Sequence, residues 1–163
     1  MDRLILLRHG EAERDAASRD DFDRRLTERG SRESARVGET LAEMGLVPDL
    51  ALVSSAARTR ETWAAVQDSF PEARMRIEDA LYLADDRIIR RVADAVGGPE
   101  RTVMVVGHNP GLQELAVRLL AEGSAAPSLI AKAQGGFPTA TAAVFLFDAA
   151  GRPAYDGLFF PRG

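Results

Sequence analysis

The sequence predicts an α/β fold: a three-layer α/β/α sandwich built on a mostly parallel sheet with an antiparallel edge. Three observations predict it. Short continuous apolar runs (Leu4–Leu7, Leu50–Val53, Thr102–Val106) alternate with helical patterns, which is the signature of a parallel sheet covered on both faces. Each run ends in Gly, Ser or a charged residue rather than in a two-residue hairpin turn. The C-terminal stretch instead reads as two strands about a Gly151-Arg152-Pro153 turn, which supplies the antiparallel edge.

Taken in order, Leu4–Leu7 is a buried strand that stops at Arg8-His9-Gly10. Residues 11–25 are charged and aperiodic and read as a solvated loop. Thr27 is an N-cap for a helix running to about Met44, with Gly45 as its stop and Pro48 beyond. Ala35, Val37, Leu41 and Met44 give that helix one apolar stripe. Leu50–Val53 is the second strand; after Ser54-Ser55 a helix opens at Ala56 or Ala57 and runs to about Phe70. Met75–Ile77 is a short strand, and Asp85–Val96 a helix with Ile88, Ile89, Val92 and Val96 inward. Thr102–Val106 is rich in β-branched residues and is the strongest strand. Gly107-His108-Asn109-Pro110-Gly111 turns the chain into a helix over Leu112–Ala121. Residues 122–138, rich in Gly, Ala, Ser and Pro, read as a loop with at most one helical turn near Leu129; Thr139–Phe147 and Ala154–Phe160 are the hairpin strands. No internal repeat or linker divides residues 1–163, so a single domain is expected.

Composition removes several functions. A net charge of −4 gives no overall basic field for nucleic acid or an anionic membrane, so any anion site is local. With no cysteine, disulfides, thiolate metal sites and cysteine nucleophiles are excluded. Two histidines make a zinc site improbable, while a magnesium site built from carboxylates stays open. The N-terminal apolar run is too short for a signal peptide and no stretch approaches a membrane span, so a cytoplasmic protein is expected. Arg-His-Gly-Glu after the first strand also lacks the glycine triplet of a dinucleotide site.

Both histidines, His9 and His108, follow apolar strands directly, at the carboxyl ends where α/β proteins gather ligands. An imidazole with an unprotonated nitrogen is a good nucleophile toward phosphorus at neutral pH. The guanidinium of Arg8 beside it suits two phosphoryl oxygens, and Gly10 lets the backbone approach a ligand. The bland alternative is a surface arginine and a satisfied histidine at a strand end. For Gly107–Gly111 the alternative is a turn with a helix cap, weighed against helix-start N–H groups that bind anions. In Ser54-Ser55-x-x-Arg58-Thr59-x-Glu61-Thr62, Arg58 falls in the first turn of its helix, aimed at the same crevice; Arg60 and Glu61 read as a solvated face. So do Arg87, Arg90 and Arg91, in preference to a patch for an acidic partner.

Arg8-His9-Gly10, Ser54-Ser55-x-x-Arg58-Thr59-x-Glu61-Thr62 and Gly107-His108-Asn109, in that order, resemble the histidine phosphatase superfamily, which includes the phosphoglycerate mutases. The small size, Asp23-Arg24-x-Leu26-Thr27-x-x-Gly30 and Gly107–Leu112 resemble its short SixA-type phosphohistidine phosphatase branch. The resemblance implies that His9 is the nucleophile and carries a transient phosphohistidine, that Arg8 and Arg58 clamp the phosphoryl oxygens, and that His108 donates to them as a cation. It adds Gly10, Arg24 and Asn109 to the phosphate-binding set and requires no metal or other cofactor. The substrate it implies is phosphohistidine on a protein; a small phosphorylated metabolite is the alternative, and a non-catalytic phosphate- or phosphoprotein-binding module the second. One departure bears on that choice. Mutase-like members place a carboxylic general acid in the stretch corresponding to Leu81-Tyr82-Leu83-Ala84, and this chain has none there; Glu78, Asp79, Asp85, Asp86 and Glu11 are only near in sequence. A missing acid hampers alkyl esters more than a labile P–N bond, which fits phosphohistidine.

Overall fold

Successive side chains of a strand point to opposite faces, so an apolar residue at every position needs a hydrophobic layer on both sides. In a computed structural model, which describes residues 1–161, the first strand meets that requirement. Leu4 and Leu6 enter one core, with Leu112, Leu115 and Leu119, while Ile5 and Leu7 enter another, with Val37, Leu41 and Trp63. Arg162 and Gly163 of the expected domain lie outside the described residues.

The elements are β1 (Arg3–Arg8), α1 (Glu28–Glu43), β2 (Leu50–Ser54), α2 (Ala57–Val66), β3 (Arg74–Glu78), α3 (Asp86–Asp94), β4 (Thr102–Gly107), α4 (Gly111–Glu122), α5 (Pro127–Gly135), β5 (Ala142–Phe147) and β6 (Pro153–Phe159). The strands form one sheet in the order β3-β2-β4-β1-β5-β6. β3, β2, β4 and β1 run parallel to one another, β5 pairs antiparallel with β1, and β6 antiparallel with β5. α1 and α2 supply the core on one face and α3, α4 and α5 that on the other, giving the expected three layers. β3 closes one edge with Arg74, Met75 and Arg76 exposed, charges that discourage pairing with another chain.

Local chemistry sets the helix starts. Thr27 Oγ1 accepts from Gly30 N at 2.9 Å and caps α1, and Asp85 Oδ1 accepts from Ile88 N at 2.9 Å and caps α3. α2 ends at Val66 and a 3₁₀ turn (Gln67–Ser69) carries the chain on to Phe70.

Two expected loops are more ordered than their composition indicates. Within 122–138 the chain forms the nine-residue helix α5, because Leu129, Ile130 and Ala133 pack against the α4 side of the core. Burial here overrides weak local preference. The 11–25 segment is tied at its base: Ala12 bridges Leu26, Thr27 N donates to Glu11 O at 2.9 Å, and a 3₁₀ turn (Asp21–Asp23) folds its far part inward. Glu61, expected on a solvated face, accepts from Arg25 Nε at 2.8 Å and Leu26 N at 2.7 Å, and so pins that loop to α2.

Candidate active site

β1 and β4 are neighbours in register, with Arg8 opposite Gly107. The residues after each strand therefore leave the sheet side by side. The His9 and His108 rings stand 5.5 Å apart, tilted at 57°. Both are buried, at 7% and 2% exposure.

His9 Nδ1 lies 2.7 Å from Gly10 O. A carbonyl only accepts, so Nδ1 carries the proton and Nε2 holds the lone pair in the neutral ring. Burial, opposed by the bond to Gly10 and helped by the charges of Arg58, Arg8 and Arg24, lowers the His9 pKa to about 4. Gly10 N donates to Thr62 Oγ1 at 3.0 Å. A Cβ on Gly10 would stand 2.5 Å from Gly30 O and from Ser34 Oγ, so this glycine makes room for α1.

His108 Nε2 bonds Ser54 Oγ at 2.8 Å, at the end of β2. Its Nδ1 is buried with no partner among the described residues. Burial first, then the charges of Arg58 and His9, push its pKa down to about 3. Burial thus disfavours the charged ring while the site is free of ligand, and an incoming anion favours it.

Arg58, in the first turn of α2, is 3% exposed. Its Nη1 donates to Asp21 O at 2.9 Å and its Nη2 to Asp21 Oδ2 at 3.0 Å, while Nε is buried and unpartnered. Arg8 Nη1 donates to Phe137 O at 2.9 Å, and its Nε is also unpartnered. Arg24 reaches the cluster from the loop: Nε donates to Glu13 O at 2.8 Å and Nη1 to Asp21 Oδ1 at 2.9 Å. Buried nitrogens with no acceptor are costly unless a ligand completes them. His108 Nδ1, Arg58 Nε and Arg8 Nε come from the turn after β4, from α2 and from β1, and buried nitrogens of this kind suit an anion.

Asn109 stands in the turn after β4, next to His108. Its Nδ2 donates to Phe137 O at 3.0 Å, the same carbonyl that accepts from Arg8, and so it ties the chain after α5 to the site. Its Oδ1 is buried without a partner. The Asn109–Pro110 peptide is cis.

Two residues of the cluster were not anticipated. Asp21 accepts from Arg58, from Arg24 and from Tyr82 Oη, the last at 2.6 Å. The Tyr82 hydroxyl first, and then Arg24 and Arg58, hold the Asp21 carboxyl far below the usual carboxylate range. Burial, and then Asp21 itself, raise the Tyr82 hydroxyl. The Tyr82 ring lies edge-on to His108 at 5.5 Å and to Phe22 at 5.1 Å. In the stretch lacking an acid, Tyr82 therefore turns inward, while Leu83 is 55% exposed.

Four other carboxylates near in sequence are occupied elsewhere. Glu78 pairs with Arg76, Asp85 caps α3, Asp86 pairs with Arg118, and Glu11 accepts from Thr27 Oγ1. Among the described residues no three His, Cys, Asp or Glu side chains gather as metal ligands would, and no helix is long and apolar enough to cross a membrane.

Comparison with known proteins places these features in a family. A model of the histidine phosphatase superfamily (branch 1) matches residues 4–82. An uncharacterized chloroplastic protein of Arabidopsis thaliana is 35% identical over 127 residues, 72% of this chain and 58% of the relative, so the chain spans less than two thirds of that relative's length. The structure of a candidate phosphohistidine phosphatase SixA from Agrobacterium tumefaciens superposes with a TM-score of 0.84 at 31% identity, covering 97% of both chains. A second candidate SixA, from Nakamurella multipartitia, gives 0.86 at 29% identity, covering 99% of this chain and 97% of that one.

Proposed function

Because the chain belongs to the histidine phosphatase superfamily, on its SixA-type side, we propose that it is a phosphatase that removes phosphate from phosphohistidine on a protein. The observation that carries the reading is the fixed tautomer of His9: the bond from Nδ1 to Gly10 O leaves a lone pair on Nε2, beside three cationic side chains.

In this reading the phosphoryl group enters between the histidines. Arg8, Arg58 and Arg24 neutralise its oxygens, and His108 donates from Nδ1 while Nε2 stays bonded to Ser54. Positive groups placed before reaction cost no reorganisation when charge spreads onto the equatorial oxygens. His9 Nε2 attacks phosphorus in line. The Nε2–P bond forms as the bond to the leaving group breaks, and the bonding pair departs with that group. Water then attacks the phosphorus of phospho-His9, returning the imidazole and releasing inorganic phosphate.

The leaving group decides the substrate class. An alkoxide needs a proton as it leaves, and the carboxylate that joins the cluster, Asp21, is held ionised and has none to give. A phosphoimidazole takes its proton from solvent at its own second ring nitrogen and then leaves as neutral imidazole. The gap at Leu81–Ala84 supports a P–N substrate in the same way.

The test compares a phosphohistidine-bearing protein with an alkyl phosphate ester, for wild type and His9→Ala, without added metal. Fast turnover of the first, slow turnover of the second and loss of both in His9→Ala are expected. Faster release from the ester would move the reading to a metabolite phosphatase. Wild-type rates in His9→Ala would overturn the nucleophile, and phosphoprotein binding without turnover would mean a binding module.

A further inference from the structure

Asp21 is a carboxylate set inside a cluster of arginines that are otherwise suited to an anion, and the bonds it makes say what it does there. A guanidinium carries five N–H groups in one plane. On Arg58, Nη1 donates to the Asp21 main-chain oxygen and Nη2 to its Oδ2, so the far edge of the plane is engaged twice by one residue. Nε, buried and unpartnered, lies on the side edge together with the second proton of Nη2. That edge has the spacing that forks onto two phosphoryl oxygens.

Asp21 is itself held from two more directions. Oδ1 accepts from Arg24 Nη1, and Oδ2 accepts a second bond from Tyr82 Oη. The Tyr82 ring in turn rests edge-on against His108. Asp21 thus joins the 3₁₀ turn of the 11–25 loop, the first turn of α2 and the segment that follows β3. The Asp21 bonds take the far edge of Arg58 and leave Nε on the side edge without a partner among the described residues.

We propose that Asp21 is the positioning residue of the anion site: it fixes the Arg58 guanidinium so that its Nε edge faces the phosphoryl group, and Tyr82 braces it. This deepens the phosphatase reading and rests on it for the identity of the ligand. It does not make Asp21 a proton donor, since its carboxyl is held ionised by the same contacts.

The test measures binding of tungstate, a tetrahedral dianion, to the full chain by calorimetry, so no turnover is needed. The variants are Asp21→Ala, Arg58→Ala, their double variant, Asp21→Asn and Tyr82→Phe. Asp21→Ala is expected to weaken binding about tenfold, and most of that loss is expected to vanish in the Arg58→Ala background, since the effect runs chiefly through Arg58 and only its remainder through Arg24. Asp21→Asn keeps an acceptor for Nη2 and recovers part of the affinity. If Asp21→Ala fails to fold, the Tyr82→Phe cycle with Arg58→Ala carries the same test with a smaller loss. Unchanged affinity in Asp21→Ala overturns the proposal. Tighter binding overturns it too, since Asp21 would then be a competitor of the ligand. A loss of equal size with and without Arg58 also overturns it, because it would reflect the loop alone. A chain that binds tungstate as expected but hydrolyses neither substrate overturns the function and not the positioning; a chain that hydrolyses phosphohistidine with tungstate binding indifferent to Asp21 does the reverse.

Discussion

The Thr62 hydroxyl sits between two residues of the site: it accepts from Gly10 N at 3.0 Å and donates to Arg58 O at 2.8 Å. One buried oxygen thus connects the peptide that orients His9 with the turn that carries Arg58.

Replacing it with an isostere tests that link. Thr62→Val preserves shape and leaves the Gly10 N–H buried without an acceptor. A loss of about 1–3 kcal/mol in urea unfolding is expected, together with reduced turnover of any substrate His9 attacks. An unchanged urea midpoint would mean that the Gly10 peptide finds another partner.

The two histidines make stability depend on pH. Burial holds them at about 4 and about 3, below the ordinary value of 6.5. Between those values the unfolded chain binds protons that the native chain does not, so their contribution is complete above about pH 6.5 and is lost as pH falls through about 4 and then about 3. Asp21, also held low, adds to the loss only as pH falls below its ordinary 3.8. Urea unfolding from pH 7 down to pH 4 is therefore expected to show a decline owed to the histidines, shallower in His108→Gln. Saturating phosphate is expected to flatten it, because a bound dianion raises both values.

Gly111 opens α4 against the segment that carries Tyr82. A Cβ there would collide with Ala84 O and lie 2.9 Å from Ile89 Cδ1. Gly111→Ala is expected to cost about 3 kcal/mol and to weaken anion binding as Tyr82 shifts. Gly97→Ala, where a Cβ meets nothing within 4 Å, serves as the control and is expected to stay within about 0.5 kcal/mol of wild type in thermal unfolding.

What was legible in the sequence was what period and punctuation encode. Leu4–Leu7 and Thr102–Val106 are apolar on both faces, and that alone makes them central strands and puts His9 and His108 at their ends. Thr27 and Asp85 mark helix starts by a side-chain bond that needs no tertiary context. α5 was hidden because Leu129, Ile130 and Ala133 become a helical face only once α4 lies beneath them. Asp21 was hidden for a related reason. Asp20, Asp21 and Asp23 look alike in a charged loop, and only the fold brings one of them to Arg58 and Tyr82. Nothing local marks the role of Glu61, because its partners, Arg25 and Leu26, lie 36 and 35 residues away.

The strand order carries a consequence for how the chain is made. β1 leaves the ribosome before β2, β3 and β4, yet its neighbours are β4 and β5, and β2 is not adjacent to it. Leu4–Leu7, fully buried in the finished sheet, have no strand to pair with until residues 102–107 have been synthesised. The helices and strands between them must wait with that apolar segment uncovered, the condition in which long-range pairing is slow and a nascent chain is most exposed to sticking. His9 and His108 accordingly meet only once β4 has been translated and paired with β1.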